Sequence, residues 1–353
     1  MNRGLLVIAA VFLLIAAVFL LIAAVLLVAP ALGHADASEA RTRSEYWRSI
    51  TEPGHRRAHA LQSQAFRQFR LATGVTGPMR RAHLENALDR LNVAIELSPD
   101  DPDILYLFAR VTAAWERVDR SGQVQRRNEE AIQIYRRLRG LDPEFRSFEV
   151  ANDLGILYTR VLDYDAAQRE YAHAVSQALR PFGLGILYLN YAEVTMLGGN
   201  LEGAVRRYQR SIEIAEDPRT RVLALFGQAV ALDRLGEHRQ ALESTRQALL
   251  EADGSDDALR ADGVFFEPGY ELYWYEALVH ESRAASEPEE RDHHLGEARR
   301  SWMRYLVEAR GSGAPWVGIA EEHLVRLDQQ VAPSEAPGPR RPRWLPGSPF
   351  DGI

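Results

Sequence analysis

The chain of 353 residues is 46% hydrophobic and 26% charged, a composition that is ordinary for a folded protein. Its net charge of −7 is modest and all 42 basic residues are arginine, so the charge predicts no nucleic-acid partner. Because cysteine is absent, the sequence excludes disulfides, thiolate zinc sites, cysteine nucleophiles and an acylated lipoprotein anchor.

The N-terminal part of the chain is an uncharged apolar segment, residues 5–28, built on the seven-residue unit IAAVFLL. A helix of this length spans about 36 Å, enough to cross a hydrocarbon core of about 30 Å. Arg3 before it and Ala35-Asp36-Ala37 after it are also typical of a secretory signal. Residues 1–37 are therefore predicted to be a transmembrane anchor or a signal peptide, and cleavage after Ala37 stays open.

The charges that flank this segment predict its orientation. Arg3 lies before it, and the first twelve residues after it contain no arginine. This favours a short N-terminus inside and the body of the protein outside. We expect a periplasmic protein, anchored in the inner membrane by residues 5–28 or released after cleavage.

A packing pattern then recurs six times along the chain. An alanine is followed four residues later by a larger side chain, and three residues after that by a third packing residue. On a helix these positions stack on one face, so each copy presents a notch to a neighbouring helix. Successive leading alanines are 44, 36, 37, 37 and 57 residues apart, at Ala87, Ala131, Ala167, Ala204, Ala241 and Ala298.

The third copy also contains a paired helix, with Leu154-Gly155 and Tyr158 preceding Ala167 and Tyr171. This pattern resembles the tetratricopeptide repeat, a helical hairpin of about 34 residues. The resemblance implies an all-α fold, a right-handed superhelical array of about six such hairpins over residues 41–328, preceded by the N-terminal membrane or signal helix. Glycine turns, such as the one at Gly236, are predicted within the hairpins.

Three hairpins contain about ten residues more than the standard unit, which predicts loops or lengthened helices at one edge of the array. Their additional sequences are ATGVTGPMRR, WERVDRSGQVQRRNEE and SRAASEPEERDHHLGEA.

A non-helical connector, GSDDALRADGVFFEPG, spans residues 254–269. Its apolar core, Val264-Phe265-Phe266, is followed by Pro268-Gly269, which predicts an extended segment. Two interpretations stay open, a buried linker and an element that reaches into the groove of the array.

The C-terminal residues 329–353 are rich in proline and glycine and are predicted to form a disordered tail. Residues 340–344 of this tail, RRPRW, form either a partner-binding motif or part of a solvated tail. The helix before the tail is predicted to cap the array, with self-association as the alternative.

The sequence shows no pattern that indicates catalysis. We recognise no metal-ligand spacing among the ten histidines, no phosphate-binding glycine loop and no nucleophile elbow. A protein that is not an enzyme, with no catalytic residue, no metal and no small-molecule cofactor, is therefore expected.

The resemblance also implies a concave groove lined by the first helix of each hairpin. Arg110, Asn152 and Arg160 partly resemble the carboxylate clamp of some family members, but Glu193 and Asp233 interrupt the cationic row. The predicted partner-binding residues are Tyr106, Arg110, Asn152, Thr159, Arg160, Glu193, Phe226, Asp233, Arg234, Trp274 and Glu281.

The sequence thus predicts a scaffold of the bacterial cell envelope that binds a peptide or helix of a partner protein in this groove. Its predicted partners are a protein and, through residues 5–28 if uncleaved, the membrane. The alternative is an envelope accessory protein that binds or processes glycans through Tyr273, Trp274 and Tyr275.

Overall fold

The computed structural model describes residues 53–118, 124–178, 183–261 and 263–331. The predicted membrane or signal segment and nearly all of the predicted tail lie outside these residues. Within the described part of the chain, no helix is both long and apolar enough to cross a bilayer. The chain divides between Asp142 and Pro143 into two compact units, here called the N-terminal unit and the C-terminal unit.

In its described residues, the N-terminal unit contains four helices in consecutive pairs. Ala58, Ala65 and Ala72 are spaced by seven residues and form one buried face of the first helix. The second helix packs Leu84, Ala87, Leu91 and Ala94 in the same core. The helices are α1 Pro53–Ala72, α2 Gly77–Leu97, α3 Pro102–Ala114 and α4 Asn128–Leu141.

The start of α3 is fixed by its capping residue. Asp101 Oδ1 accepts hydrogen bonds from the backbone N–H groups of Asp103 and Ile104, both at 3.1 Å. Pro102 occupies the first helical position, where a missing N–H costs nothing. The same bonds fix the orientation of the Asp101 carboxylate.

The second lengthened hairpin adds a small β-ribbon to the helical fold that was predicted. A short antiparallel ribbon joins α3 to α4, with β1 Glu116–Val118 paired to β2 Val124–Arg126. Glu116 lies opposite Arg126, so unlike charges face each other across the strands. The other two lengthened hairpins add helix, as predicted. α1 and α2 contain 20 and 21 residues, and the last hairpin includes a helix of 22 residues.

In its described residues, the C-terminal unit consists of helical hairpins followed by one further helix. Three short 3₁₀ turns interrupt its loops, at Asp257–Arg260, Gly269–Glu271 and Pro288–Glu290. Its helices are α5 Ser147–Arg160, α6 Tyr164–Gln177, α7 Leu184–Leu197, α8 Leu201–Ile214, α9 Pro218–Arg234, α10 His238–Glu251, α11 Leu272–Ser286, α12 Arg291–Ser312 and α13 Val317–Val331.

The resemblance to the tetratricopeptide repeat is confirmed in the packing of each hairpin. Every leading alanine of the six notches is fully buried. At Gly155 a Cβ atom would lie 2.7 Å from the Tyr171 ring, so the first helix of this hairpin can approach the second only with glycine there. Gly227 stands against Tyr208 in the same way. The predicted glycine turn is also present, since Gly236 has a φ of +84°.

The last helix packs on the preceding one, as expected of a capping helix. Arg299 pairs with Asp328 at 2.8 Å, which joins α12 to α13. Ala320, His323 and Leu327 of α13 are buried. A fully buried histidine is unusual for a helix whose role is to shield apolar surface, and its partners lie in the core.

Candidate functional site

The C-terminal unit contains a cavity of about 300 Å³ on the face formed by the first helices of its hairpins. Leu189 of α7, Leu223 of α9 and Tyr275 of α11 contribute to its wall. The connector closes one side with Val264 and Phe265. The cavity therefore lies between the repeats and the connector.

Aromatic and cation–π contacts fix the connector on this face. The Phe266 ring centroid lies 4.9 Å from that of Tyr275, in an edge-to-face arrangement. The Arg160 guanidinium carbon lies 4.9 Å from the centre of the Phe265 ring. Tyr164 donates a hydrogen bond of 3.3 Å to the Glu267 carbonyl oxygen. Of the two predicted interpretations, the structure favours an element that reaches onto the groove wall.

Glu193 and Tyr275 line the floor of the cavity, and the buried Tyr208 lies behind them. Glu193 Oε2 accepts hydrogen bonds from the hydroxyl groups of Tyr208 and Tyr275, the second at 2.9 Å. Burial raises the pKa of Glu193 above its usual range, although both hydroxyl groups oppose this. Burial also raises the pKa of each tyrosine. These side chains satisfy one another and form a fixed polar floor.

The C-terminal unit also contains a closed group of two carboxylates and two imidazoles, here called the buried ring: Asp233, His238, Glu281 and His323. His323 Nε2 lies 2.8 Å from Asp233 Oδ2, and its Nδ1 lies 2.9 Å from Glu281 Oε1. His238 Nδ1 lies 2.8 Å from Asp233 Oδ1, and its Nε2 lies 3.3 Å from Glu281 Oε2. Each imidazole therefore bridges the two carboxylates.

Hydrogen-bond chemistry fixes the protonation of the buried ring. A carboxylate oxygen only accepts, so every imidazole nitrogen that faces one must carry a hydrogen. Both histidines are then cations, and the ring as a whole is neutral. Burial opposes the charge on His238, but its bonds to Asp233 and Glu281 outweigh it and raise its pKa to about 9.

The same balance acts on the other members of the buried ring. Burial would raise the pKa of Glu281, but the two histidines lower it to about 2. They also lower the pKa of Asp233 against the effect of burial, and the carboxylates raise that of His323. Arg326 Nη2 lies 2.7 Å from His323 Nδ1. A protonated His323 Nδ1 cannot accept a hydrogen bond from Arg326, because both groups are donors. The half-exposed Arg326 side chain must therefore turn away, and His323 Nδ1 donates to Glu281.

Two tryptophans complete the hydrogen bonds of the buried ring. The indole N–H of Trp274 donates to Asp233 Oδ2 at 2.9 Å, and that of Trp302 donates to Glu281 Oε1 at 2.7 Å. The Trp302 ring also stacks on His323, with centroids 4.1 Å apart. The buried ring thus joins α9, α10, α11, α12 and α13 into one polar core.

A second buried ion pair joins the end of α9 to the 3₁₀ turn that precedes α11. Arg234 pairs with Glu271, and the guanidinium carbon lies 4.5 Å from the centre of the Trp274 ring. Burial would lower the pKa of Arg234, but the Glu271 carboxylate outweighs this and raises it. Arg234 therefore remains a cation inside the core.

The predicted partner-binding residues lie in three different settings. Arg160 and Glu193 contact the connector and the cavity, and half-buried Asn152 lies on α5. Tyr106 and Arg110 belong to the N-terminal unit, where the guanidinium lies 5.6 Å from the Tyr106 ring. The structure buries the remaining six, Thr159, Phe226, Asp233, Arg234, Trp274 and Glu281.

The buried residues support the groove wall and do not form its surface as folded, because the inner turns of the first helices face the core. Thr159, for example, donates its hydroxyl hydrogen to the Gly155 carbonyl oxygen at 2.9 Å. Partner binding by the accessible predicted residues stays a prediction.

The structure also groups histidines in ways that the sequence analysis missed. Three sets of histidine and carboxylate side chains in the described part of the chain bring possible metal-ligand atoms together, which corrects the expectation of no ligand set. The set of Asp233, His238 and His323 joins residues that are distant in sequence, and the set of Glu287, Glu290 and His294 contains exposed acidic groups. The set of His55, His59 and Asp101 had a signal in the sequence, since its two histidines are one helical turn apart in HRRAH. The sets are His55, His59 and Asp101; Asp233, His238 and His323; and Glu287, Glu290 and His294.

Comparison with solved structures identifies similar helical repeat proteins. MamA, residues 41 to the end, from Desulfovibrio magneticus RS-1 aligns over 57% of this chain and 97% of its own, with a TM-score of 0.46 and 17% identity. YrrB, described as a TPR protein with an unusual peptide-binding site, aligns over 62% and 97%, with a TM-score of 0.40 and 18% identity. No family model and no curated protein matches the chain. At this level of similarity no residue role is transferred.

Proposed function

We propose that this protein is a scaffold whose C-terminal unit binds an extended apolar segment of a partner protein in the cavity beside the connector. The observation that supports this most directly is the connector itself. Val264, Phe265 and Phe266 form a non-helical apolar segment that packs on the first helices of the hairpins. A wall that binds such a segment of its own chain has the chemistry to bind a similar segment of another.

The size of the cavity favours a short segment over a helix. Its volume of about 300 Å³ is at the lower end of the range of about 300–1,000 Å³ for ligand pockets. This is room for a few side chains, whereas a helix of about 10 Å diameter needs an open groove. An extended segment with one or two apolar anchors fits best.

Polar groups at the wall suit an extended backbone. Asn190 lies on α7 at the cavity, and its amide offers both a donor and an acceptor. A peptide backbone presents the same two groups at each residue. The Asp217 carboxylate already caps a helix, since it accepts a hydrogen bond of 2.8 Å from the Thr220 backbone N–H. We therefore assign backbone recognition to Asn190.

Peptide-display selection on the purified chain tests this function. Ile186 lies at the cavity and is 51% exposed, while Leu250 is 63% exposed on α10, which does not line it. We expect selected apolar peptides to bind Ile186→Asp at least about tenfold more weakly, because a charge faces the apolar wall. Leu250→Asp should bind like wild type. Equal loss in both variants, or no loss in either, would contradict the proposal.

The envelope location remains part of the proposal. It is supported by the uncharged residues 5–28, the Ala35-Asp36-Ala37 sequence and the absence of cysteine. Fractionation of cells, followed by mass spectrometry of the mature N-terminus, distinguishes a retained anchor from a cleaved signal. Recovery in the cytosol with an intact N-terminus would contradict export.

The glycan alternative loses its main support. It requires Trp274 and Tyr275 on an open wall, where their rings would stack on a saccharide. Trp274 is 0% exposed and Tyr275 is 4% exposed, and both donate hydrogen bonds to buried carboxylates. As folded, neither ring can stack on a saccharide.

A further inference from the structure

In the N-terminal unit, three side chains from two helices converge at one point, here called the histidine–aspartate cluster. His55 and His59 lie one turn apart on α1, and Asp101 caps α3. His59 Nε2 lies 3.1 Å from His55 Nε2 and 3.0 Å from Asp101 Oδ2. His55 and Asp101 are buried, whereas the His59 side chain is 36% exposed.

The outer polar atoms of the cluster are already held. His59 Nδ1 lies 3.0 Å from Gln62 Oε1, and His55 Nδ1 lies 3.2 Å from Ser98 Oγ. An amide oxygen only accepts, so the hydrogen of a neutral His59 is on Nδ1. Asp101 Oδ1 is occupied by two backbone N–H groups. The atoms that remain are two Nε2 and one Oδ2, and His59 Nε2 faces both of the others.

A proton does not satisfy this convergence. One hydrogen on His59 Nε2 can point fully at only one of Asp101 and His55, and the other contact is left without an aligned hydrogen bond. A metal cation attracts all three lone pairs at once. The outer bonds also match those of metal-binding histidines, which usually give their second ring N–H to a fixed acceptor.

The geometry points to a site for a divalent transition metal ion of the zinc class, bound by His55 Nε2, His59 Nε2 and Asp101 Oδ2. Ligand bonds of about 2.0–2.1 Å in a tetrahedron place ligand atoms about 3.3 Å apart. The two separations that involve His59 Nε2, 3.0 and 3.1 Å, are close to this value. His55 comes within 3.9 Å of Asp101 Oδ2 through Nδ1, so its ring must shift for all three ligands to reach one ion. Nitrogen and carboxylate ligands of this kind suit zinc and its neighbours better than magnesium or calcium.

Three protein ligands leave a fourth position, and the partly exposed His59 lets solvent reach the cluster. The ion also joins the first hairpin to the second, because its ligands belong to α1 and to the start of α3. The histidine–aspartate cluster is therefore both a cross-link within the N-terminal unit and a metal centre with an open coordination position.

Zinc titration of the full chain, stripped with a chelator and assayed against a chromogenic competitor, tests this site. We expect His59→Ala and Asp101→Asn to bind one zinc ion fewer per chain than wild type. Asp101→Asn is the conservative variant, since asparagine caps helices as well as aspartate does. His83→Ala, which removes a histidine from α2 of the same unit, and His294→Ala should both retain this ion.

Circular dichroism confirms that each variant is folded. As a milder change, Gln62→Ala keeps all three ligands and should weaken zinc binding about tenfold or more, because the outer hydrogen bond is lost. The inference is overturned if His59→Ala and Asp101→Asn bind as much zinc as wild type with affinities within about twofold, or if stripped wild type binds none.

Discussion

The buried ring and the histidine–aspartate cluster contain the same residue types and have opposite chemistry. In the buried ring each imidazole nitrogen faces a carboxylate oxygen, so protons complete every contact. In the histidine–aspartate cluster one nitrogen, His59 Nε2, faces both Asp101 Oδ2 and His55 Nε2, and the outer nitrogens face neutral side-chain oxygens. The buried ring has one carboxylate oxygen for each ring nitrogen, so protons complete it. The histidine–aspartate cluster has fewer carboxylate oxygens than ring nitrogens, so a metal ion completes it.

The largest expected difference is in stability without metal. Asp233→Ala should lower the free energy of unfolding by about 3–5 kcal/mol, because it leaves two imidazoles and the Trp274 N–H without their acceptor. Asp101→Ala should cost about 1 kcal/mol, mainly through the lost helix cap. Urea unfolding in the presence of a chelator measures both. Asp328→Ala, which removes an exposed partner of Arg299, is the control. Equal costs at Asp233 and Asp101 would remove the distinction between the clusters.

Alkaline pH should weaken the buried ring. The pKa of His238 is about 9 in the folded chain against 6.5 for the free side chain. Its contribution is therefore complete below pH 6.5 and lost as the pH rises through 9, which amounts to up to about 3 kcal/mol. Thermal unfolding from about pH 5 to pH 10 measures this loss. We expect His238→Gln to show a flatter alkaline slope than wild type, and an unchanged slope would count against the charged ring.

Zinc should distinguish the two clusters directly. At about 100 times its dissociation constant, an ion that binds the folded chain alone adds about 2.7 kcal/mol of stability. We expect this added stability to raise the melting temperature of wild type and of His238→Gln, but not that of His59→Ala. A response that is lost in His238→Gln and kept in His59→Ala would exchange the roles of the two clusters.

The smallest expected effect concerns the outer hydrogen bond of His59. Without metal, Gln62→Ala should change stability by less than about 0.5 kcal/mol, since the side chain is not in the core. With zinc, a tenfold weaker site corresponds to a loss of about 1.4 kcal/mol. Gln64→Ala on the same helix, which removes an acceptor of Arg90, is the matched control. Melting curves recorded with and without zinc separate the change in stability of the metal-free chain from the loss of zinc binding.

The repeat architecture could be predicted from the sequence because its signal is local. Small residues such as Gly155 and Ala167 recur at fixed spacing and pack against aromatics within the same hairpin. The short ribbon at Glu116–Val118 was missed, because three residues per strand give too little alternation to detect.

The candidate site was harder to predict because its contacts are distant in sequence. Asp233 was assigned to the open groove by the repeat register, but its partner His323 is ninety residues away on the capping helix. Phe226 is likewise buried by packing between hairpins. The register identifies the helix face, whereas the neighbours that cover that face follow from the assembled C-terminal unit.

The burial of His323 also restricts how this protein can be engineered. In many repeat proteins a terminal helix can be exchanged, so that consensus units are added to lengthen the scaffold. Here, cutting the chain before α13 would remove His323 from Asp233 and Glu281 and expose two carboxylates and two indole N–H groups of the core. Fusions and added units should therefore be placed after Val331, with α13 retained as an inseparable part of the last hairpin.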